Sequence, residues 1–256
     1  MATKWEKIER MRNKYYGKYA RKFKRILKSQ SREVLNYIKD FSIEGLEFNI
    51  DTLINEETLK EAYLALYREV GLKFRKVTNR ELSQKNLQDD LWMEEMQNYV
   101  ELNAFQKIAW INKTTRDVTL NTLRKIIADQ VDEGLSVGET KRRLIKELRQ
   151  EYGRIEDWRA LRIAHTEVMT ASNVATAMTE ADITIPVRKV WITAAYGVAR
   201  TQERHTLMGL DEQKPLKGMP FNVGSTMMQY PGDPAGGPEN VINCRCALAY
   251  EPIELN

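Results

Sequence analysis

Apolar residues recur every three or four positions along the chain as far as about Glu180, and from Ile183 the period shortens toward two. The first spacing buries one stripe of a helix and the second buries one face of a strand, so the switch constrains the chain strongly. The expected fold class is α+β: a mainly helical N-terminal region, residues 1–153, followed by a small α+β C-terminal domain, residues 154–256. A length of 256 residues can bury a substantial core, either as one large domain or as two modest ones.

Within the helical part, Trp5, Ile8, Tyr15, Tyr19, Phe23, Ile26, Leu27, Val34, Leu35 and Ile38 predict one or two amphipathic helices. Ser29-Gln30-Ser31 is a plausible interruption, because serine competes for backbone hydrogen bonds. Residues 42–51 read as an irregular connection or a short strand. Asn55 offers an N-cap to a helix opened by Glu56 and Glu57, with Gly71 near its end. A further helix runs from about Asp89 to Ala109, and Thr115 or Asp117 starts another that stops at Gly134. Ser136 and Glu139 have the spacing of a capping box and open a helix to about Arg149; one more spans Trp158 to about Glu180. Ile183, Ile185, Val187, Val190 and Ile192 then read as a strand, with Pro186 suited to an edge. A short helix near Thr201 to Leu207 and a final strand from Val241 to Tyr250 complete the pattern.

Charge is unevenly distributed. Residues 1–39 carry thirteen Lys and Arg against Glu6, Glu9 and Glu33, so the remainder of the chain is mildly acidic. Lys14, Lys18, Arg21, Lys22, Lys24, Arg25 and Lys28 are candidates for contact with nucleic acid or an acidic partner; the other reading is a solvated helix face. Tyr15, Tyr16, Tyr19 and Phe23 could stack on bases, but their helical spacing favours a core or interface role. No apolar run reaches the length of a membrane span, and no apolar stretch follows the N-terminal basic residues as in a signal peptide.

Both cysteines, Cys244 and Cys246, lie in the stretch YPGDPAGGPENVINCRCAL, residues 230–248. Two cysteines make no disulfide framework, and reduced thiols in a bacterial cytoplasm are expected. Side chains two apart on a strand share a face, so Cys244 and Cys246 can reach one zinc ion with His205, with Asp233 or His165 as further ligands. The alternative is that the cysteines are small buried hydrophobes and His205 makes a structural hydrogen bond. Arg245 should face the other way and pair with Glu167, Asp233 or Glu239, or meet a partner. The Pro- and Gly-rich residues 231–238 favour tight turns and lack any phosphate-binding motif.

Ile163, Ala164, Thr166 and Glu167, then Trp191, Arg200, Thr201 and His205, then Phe221 and Gly224, Pro231, Asp233 and Pro234, and finally Asn243-Cys244-Arg245-Cys246 occur in an order and spacing that resemble the phage Mu F-like head-morphogenesis family. The similarity extends over about ninety residues, and its most specific part is the PGDP and NCRC pair. The resemblance implies a minor capsid protein of a tailed phage or prophage. It would act in head assembly through the portal protein or the major capsid protein, with packaged DNA as a further partner and no membrane, and would reside in the virion head after assembly in the host cytoplasm. His165 stands where the family has Arg, Val198 where it has an acid, and Gln202 where it has a second Arg, which favours a structural rather than an enzymatic role. Two other functions stay open: a nucleic-acid-acting enzyme or toxin-type module using His205 with Arg200, Arg204 or Arg245, and a DNA-binding accessory protein ejected with the genome.

Overall fold

The computed structural model describes residues 2–41, 43, 45–82, 89–193 and 200–253; at 104, 105 and 200–203 it describes the backbone alone. Helices α1 (Lys4–Asp40), α2 (Leu46–Leu53), α3 (Glu57–Glu81), α4 (Asp89–Glu133) and α5 (Val137–Met178) precede strand β1 (Val187–Ile192). Helix α6 (Arg200–Leu207), strands β2 (Phe221–Val223) and β3 (Thr226–Met228), helix α7 (Gly237–Val241) and strand β4 (Ala247–Pro252) follow. The α+β class with a dominant helical part is as expected. No helix among the described residues is long and apolar enough to cross a membrane.

The helices are fewer and longer than the sequence pattern suggests. Helix α1 passes unbroken through Ser29-Gln30-Ser31, because these polar groups find partners while the backbone stays helical. Ser31 Oγ donates to Glu156 Oε1 at 2.8 Å and lies 3.0 Å from Leu27 O, the alternative acceptor for its one proton, and Gln30 Nε2 donates to Asn55 O and Asn112 Oδ1. Helix α4 likewise continues across Thr115, where Thr114 and Thr119 bond back to carbonyls four residues earlier instead of capping a new helix. Helix α5 runs without a break across residues 149–158, and residues 46–53 form a helix rather than a strand.

The expected caps are present. Asn55 Oδ1 accepts from Glu57 N at 2.7 Å. Ser136 N donates to Glu139 Oε2 at 2.9 Å and Glu139 N to Ser136 Oγ at 3.3 Å, closing the capping box. Gly134 ends α4 in the left-handed conformation, φ 67°. Gly71 lies instead in the middle of α3, where Trp92 packs over it.

The chain forms two compact units. The first comprises residues 1–20, 63–103 and 162–256 and holds both sheets. Strands β1 and β4 pair antiparallel with Trp191 opposite Leu248, and β2 and β3 form a second antiparallel pair. Val187, Lys189 and Trp191 form the buried face of β1, so the inward register differs from the expected Val190 and Ile192, which are only half-buried. Trp191, Phe221, Val223, Met228, Cys244, Cys246 and Leu248 are at the centre of this core. The second unit comprises residues 21–62 and 104–161, and its core joins Val34, Ile38, Leu46, Ile50, Leu123, Ile126, Leu144 and Leu148.

Candidate functional site

The stretch from Tyr230 to Leu248 is folded by its own short-range hydrogen bonds. Asp233 Oδ2 accepts from Gln229 N at 2.7 Å and its Oδ1 from Ala235 N at 3.0 Å, so this carboxylate caps a tight 3-10 turn over Pro234–Gly236. Both of its oxygens are thereby engaged in the turn. Helix α7 follows directly, so the Pro- and Gly-rich segment contains a helical turn as well as loops, because Pro238 sits in the first turn, where no amide donor is required. Asn243 then adopts φ 58°, with its amide donating to Thr166 Oγ1 at 3.1 Å, and turns the chain into Cys244-Arg245-Cys246. The three residues form an extended approach to β4 rather than part of the strand, which begins at Ala247.

Extended backbone still alternates side chains, and Cys244 and Cys246 point together to the core while Arg245 points away. Arg245 pairs with none of Glu167, Asp233 and Glu239. Its Nη1 donates to Glu9 Oε1 at 2.9 Å, its Nη2 donates to His165 Nδ1 at 2.6 Å, and its guanidinium lies 5.5 Å from the ring centre of Tyr16. The Arg245 carbonyl accepts from Trp5 Nε1 and from Arg12 Nη1, each at 3.1 Å. The acid partner therefore comes from α1, which the sequence marks only as basic.

His165 accepts from a cation through Nδ1, so its proton resides on Nε2. Burial and the neighbouring Arg245 charge lower its pKa to about 4. A neutral imidazole here accepts from the Arg245 guanidinium without a like-charge contact.

Arg12 and Asn173 organise the region around this pair. Arg12 is fully buried; its Nε donates to Ser172 Oγ at 2.8 Å and its Nη2 to Asn173 Oδ1 at 2.9 Å. Asn173 Nδ2 donates to Pro231 O at 2.9 Å and to Cys246 O at 3.0 Å, while its Oδ1 also accepts from Leu248 N at 3.0 Å. One carboxamide thus ties α1 to the loop at Pro231 and to both ends of the step from Cys246 into β4. Lys189 is also buried, and donates to Met219 O at 2.8 Å and Gln229 Oε1 at 2.7 Å; burial lowers its pKa.

On the other side of the same segment, His205, Cys244 and Cys246 are each 0% exposed. His205 Nδ1 lies 3.4 Å from Cys246 Sγ and 3.6 Å from Cys244 Sγ. Burial raises the Cys244 thiol, but hydrogen bonding with Cys246 and His205 more than offsets it and holds this thiol below the ordinary range, while burial and the contact with Cys244 push Cys246 up. Trp191 meets the His205 ring edge-on at 5.2 Å between centroids and the Phe221 ring at 5.2 Å.

Glu167 is buried and accepts from Tyr67 OH at 2.7 Å. The Arg200 and Gln202 side chains and residue Val198 lie outside the described residues.

On α1, Lys14, Lys18, Arg21, Arg25 and Lys28 are exposed and Lys22 and Lys24 are half-buried. Lys18 pairs with Glu69, and Lys24 with Asp157 at 2.6 Å. Tyr16, Tyr19 and Phe23 are buried, which places them in the core. Within the second unit Arg21, Arg25, Lys28 and Arg32 recur at four- and three-residue steps along one exposed face, about 16 Å of helix.

Residues 125–249 match the model of the family described as Phage Mu protein F like protein. No curated protein and no solved structure matches the chain.

Proposed function

Taking residues 125–249 as a Mu F-like region, we propose that the chain is a head-morphogenesis protein of a tailed phage or prophage, a minor component of the head rather than an enzyme. The observation that supports this most is the use made of the family-motif residues. Glu167 bonds Tyr67, Asp233 and Asn243 shape turns, Trp191 fills a core and Arg245 joins Glu9. Each is engaged in holding the fold together.

The proposed contacts are the portal or the major capsid protein, and packaged DNA along the exposed basic face at Arg21, Arg25, Lys28 and Arg32. A guest of this kind meets the shell or the genome through surface it leaves exposed, and a like-signed row on one helix face is such a surface. Mass spectrometry of purified heads, with and without packaged genome, tests the reading. The chain should be present at a low and fixed copy number, and deletion of its gene should lower the yield of infectious heads. Heads that lack the chain and mature normally without its gene would refute the proposal.

A further inference from the structure

We propose that His205, Cys244 and Cys246 form a structural site for a zinc-class cation. The ligand atoms are His205 Nδ1 and the two sulfurs, all within 4.8 Å of one another and all fully buried. A tetrahedral zinc with Zn–S of about 2.3 Å and Zn–N of about 2.0–2.1 Å holds its sulfur and nitrogen ligands about 3.5 Å apart. The observed separations of 3.4 and 3.6 Å bracket that spacing, so the donors are already placed for one ion.

Charge and chemistry agree with the geometry. Two thiolates and a neutral imidazole around a divalent cation sum to zero, which is the condition under which buried charge is tolerated. Two sulfurs and one nitrogen are soft donors that select zinc over magnesium or calcium. Asp233 and His165 are not ligands, since the first is engaged by its own turn and the second by Arg245. The three protein donors account for three positions of the tetrahedron.

The site joins helix α6 to the segment leading into β4, two short elements far apart in sequence. His205 Nε2 finds no hydrogen-bond partner among the described residues, so the ring is held through its Nδ1 side and by Trp191. With the donors sealed from solvent, the ion enters during folding and leaves only on unfolding. This inference does not depend on the head-protein reading.

Metal analysis and cobalt substitution test it together. Protein produced in zinc-supplemented medium and purified with reduced thiols should carry about one zinc per chain by plasma mass spectrometry. Refolded with cobalt(II) as the sole divalent cation, it should show a thiolate-to-cobalt charge-transfer band and tetrahedral d–d bands. The Cys244→Ser, Cys246→Ser double variant should lose both the zinc and the band. Because that variant can fail through packing alone, the wild-type protein decides the matter. Folded wild-type chain with reduced thiols that holds no zinc and takes up no cobalt on refolding overturns the site, as does a folded double variant that retains zinc at the wild-type ratio.

Discussion

Arg12 Nη2 and Asn173 Oδ1 meet at 2.9 Å with both side chains buried, and through them the start of α1 is fixed to the C-terminal end of α5. The guanidinium also reaches Ser172 Oγ and the Arg245 carbonyl, so removing it strands several acceptors at once. Arg12→Met, which keeps most of the volume, is expected to cost roughly 3 kcal/mol or more, because unpaired buried polar groups carry their full desolvation penalty. Urea denaturation measures this; a midpoint unchanged from the parent would show that these hydrogen bonds contribute no net stability.

The first unit draws on residues 1–20 and 63–103 as well as on 162–256. A fragment holding residues 154–256 alone lacks Glu9, Arg12 and Tyr67, the partners of Arg245, Asn173 and Glu167. It is expected to be disordered or aggregated, read by proton NMR dispersion and by rapid proteolysis. A well-dispersed spectrum from that fragment contradicts the prediction.

His165 has a folded pKa of about 4, below its ordinary value of about 6.5. The unfolded chain therefore binds more protons between those values, and stability rises with pH across the window and levels off above it. Arg245 and Tyr16 face the ring, with Glu9 beyond Arg245. Equilibrium unfolding from pH 4 to 8 should show a slope that is shallower in His165→Gln. Identical slopes in the two proteins would remove His165 as its source.

Gly71 lies in helical backbone, where alanine is ordinarily favoured by about 1 kcal/mol. Here an added Cβ would sit 2.7 Å from Trp92 Cη2, and the indole is buried and stacked under Arg75, whose guanidinium carbon lies 5.2 Å from the ring centre. Overpacking wins over propensity. Gly71→Ala should destabilise by about 1–3 kcal/mol in thermal or denaturant melts, and a stabilised variant would mean that Trp92 moves freely.

Replacing Arg21, Arg25, Lys28 and Arg32 together by alanine should change stability little, since all are exposed on one helix. If the face meets phosphates, DNA affinity at low salt falls, and the log–log salt slope becomes shallower by about 0.9 for each phosphate no longer neutralised. An unchanged salt dependence removes this face from any DNA contact.

Much of the architecture is legible in the chain, and the exceptions have physical causes. Serine and threonine within α1 and α4 look like interruptions or caps, yet they bond to carbonyls four residues earlier or to a neighbouring helix. A signal for continuity is present all the same: all seven prolines lie at or beyond Pro186, so no obligatory breaker interrupts the helical part. The buried phase of β1 is obscured because a lysine, Lys189, occupies an inward position and satisfies its charge on Met219 O and Gln229.

At the site, the common orientation of Cys244 and Cys246 follows from strand alternation, whereas the partner of Arg245 does not. Glu9 lies 236 residues away, and local pattern carries no information about that pairing. Arg12 and Asn173 are hidden for a related reason. In sequence the first is one more basic residue of α1, and the second stands in an apolar-looking helix without any motif around it.

The tie between Arg12 and the Arg245 carbonyl spans 233 residues, which gives the molecule a schedule as well as a shape. A ribosome releases the first helix long before the acceptor exists; at about 5–20 residues per second the interval is on the order of ten to fifty seconds. Throughout that time Arg12 and its apolar neighbours are without their native partners, and the first unit can close only once the segment around Arg245 has been made. A product that stops short of Arg245 lacks the acceptor for Arg12 and cannot close the first unit in its native form.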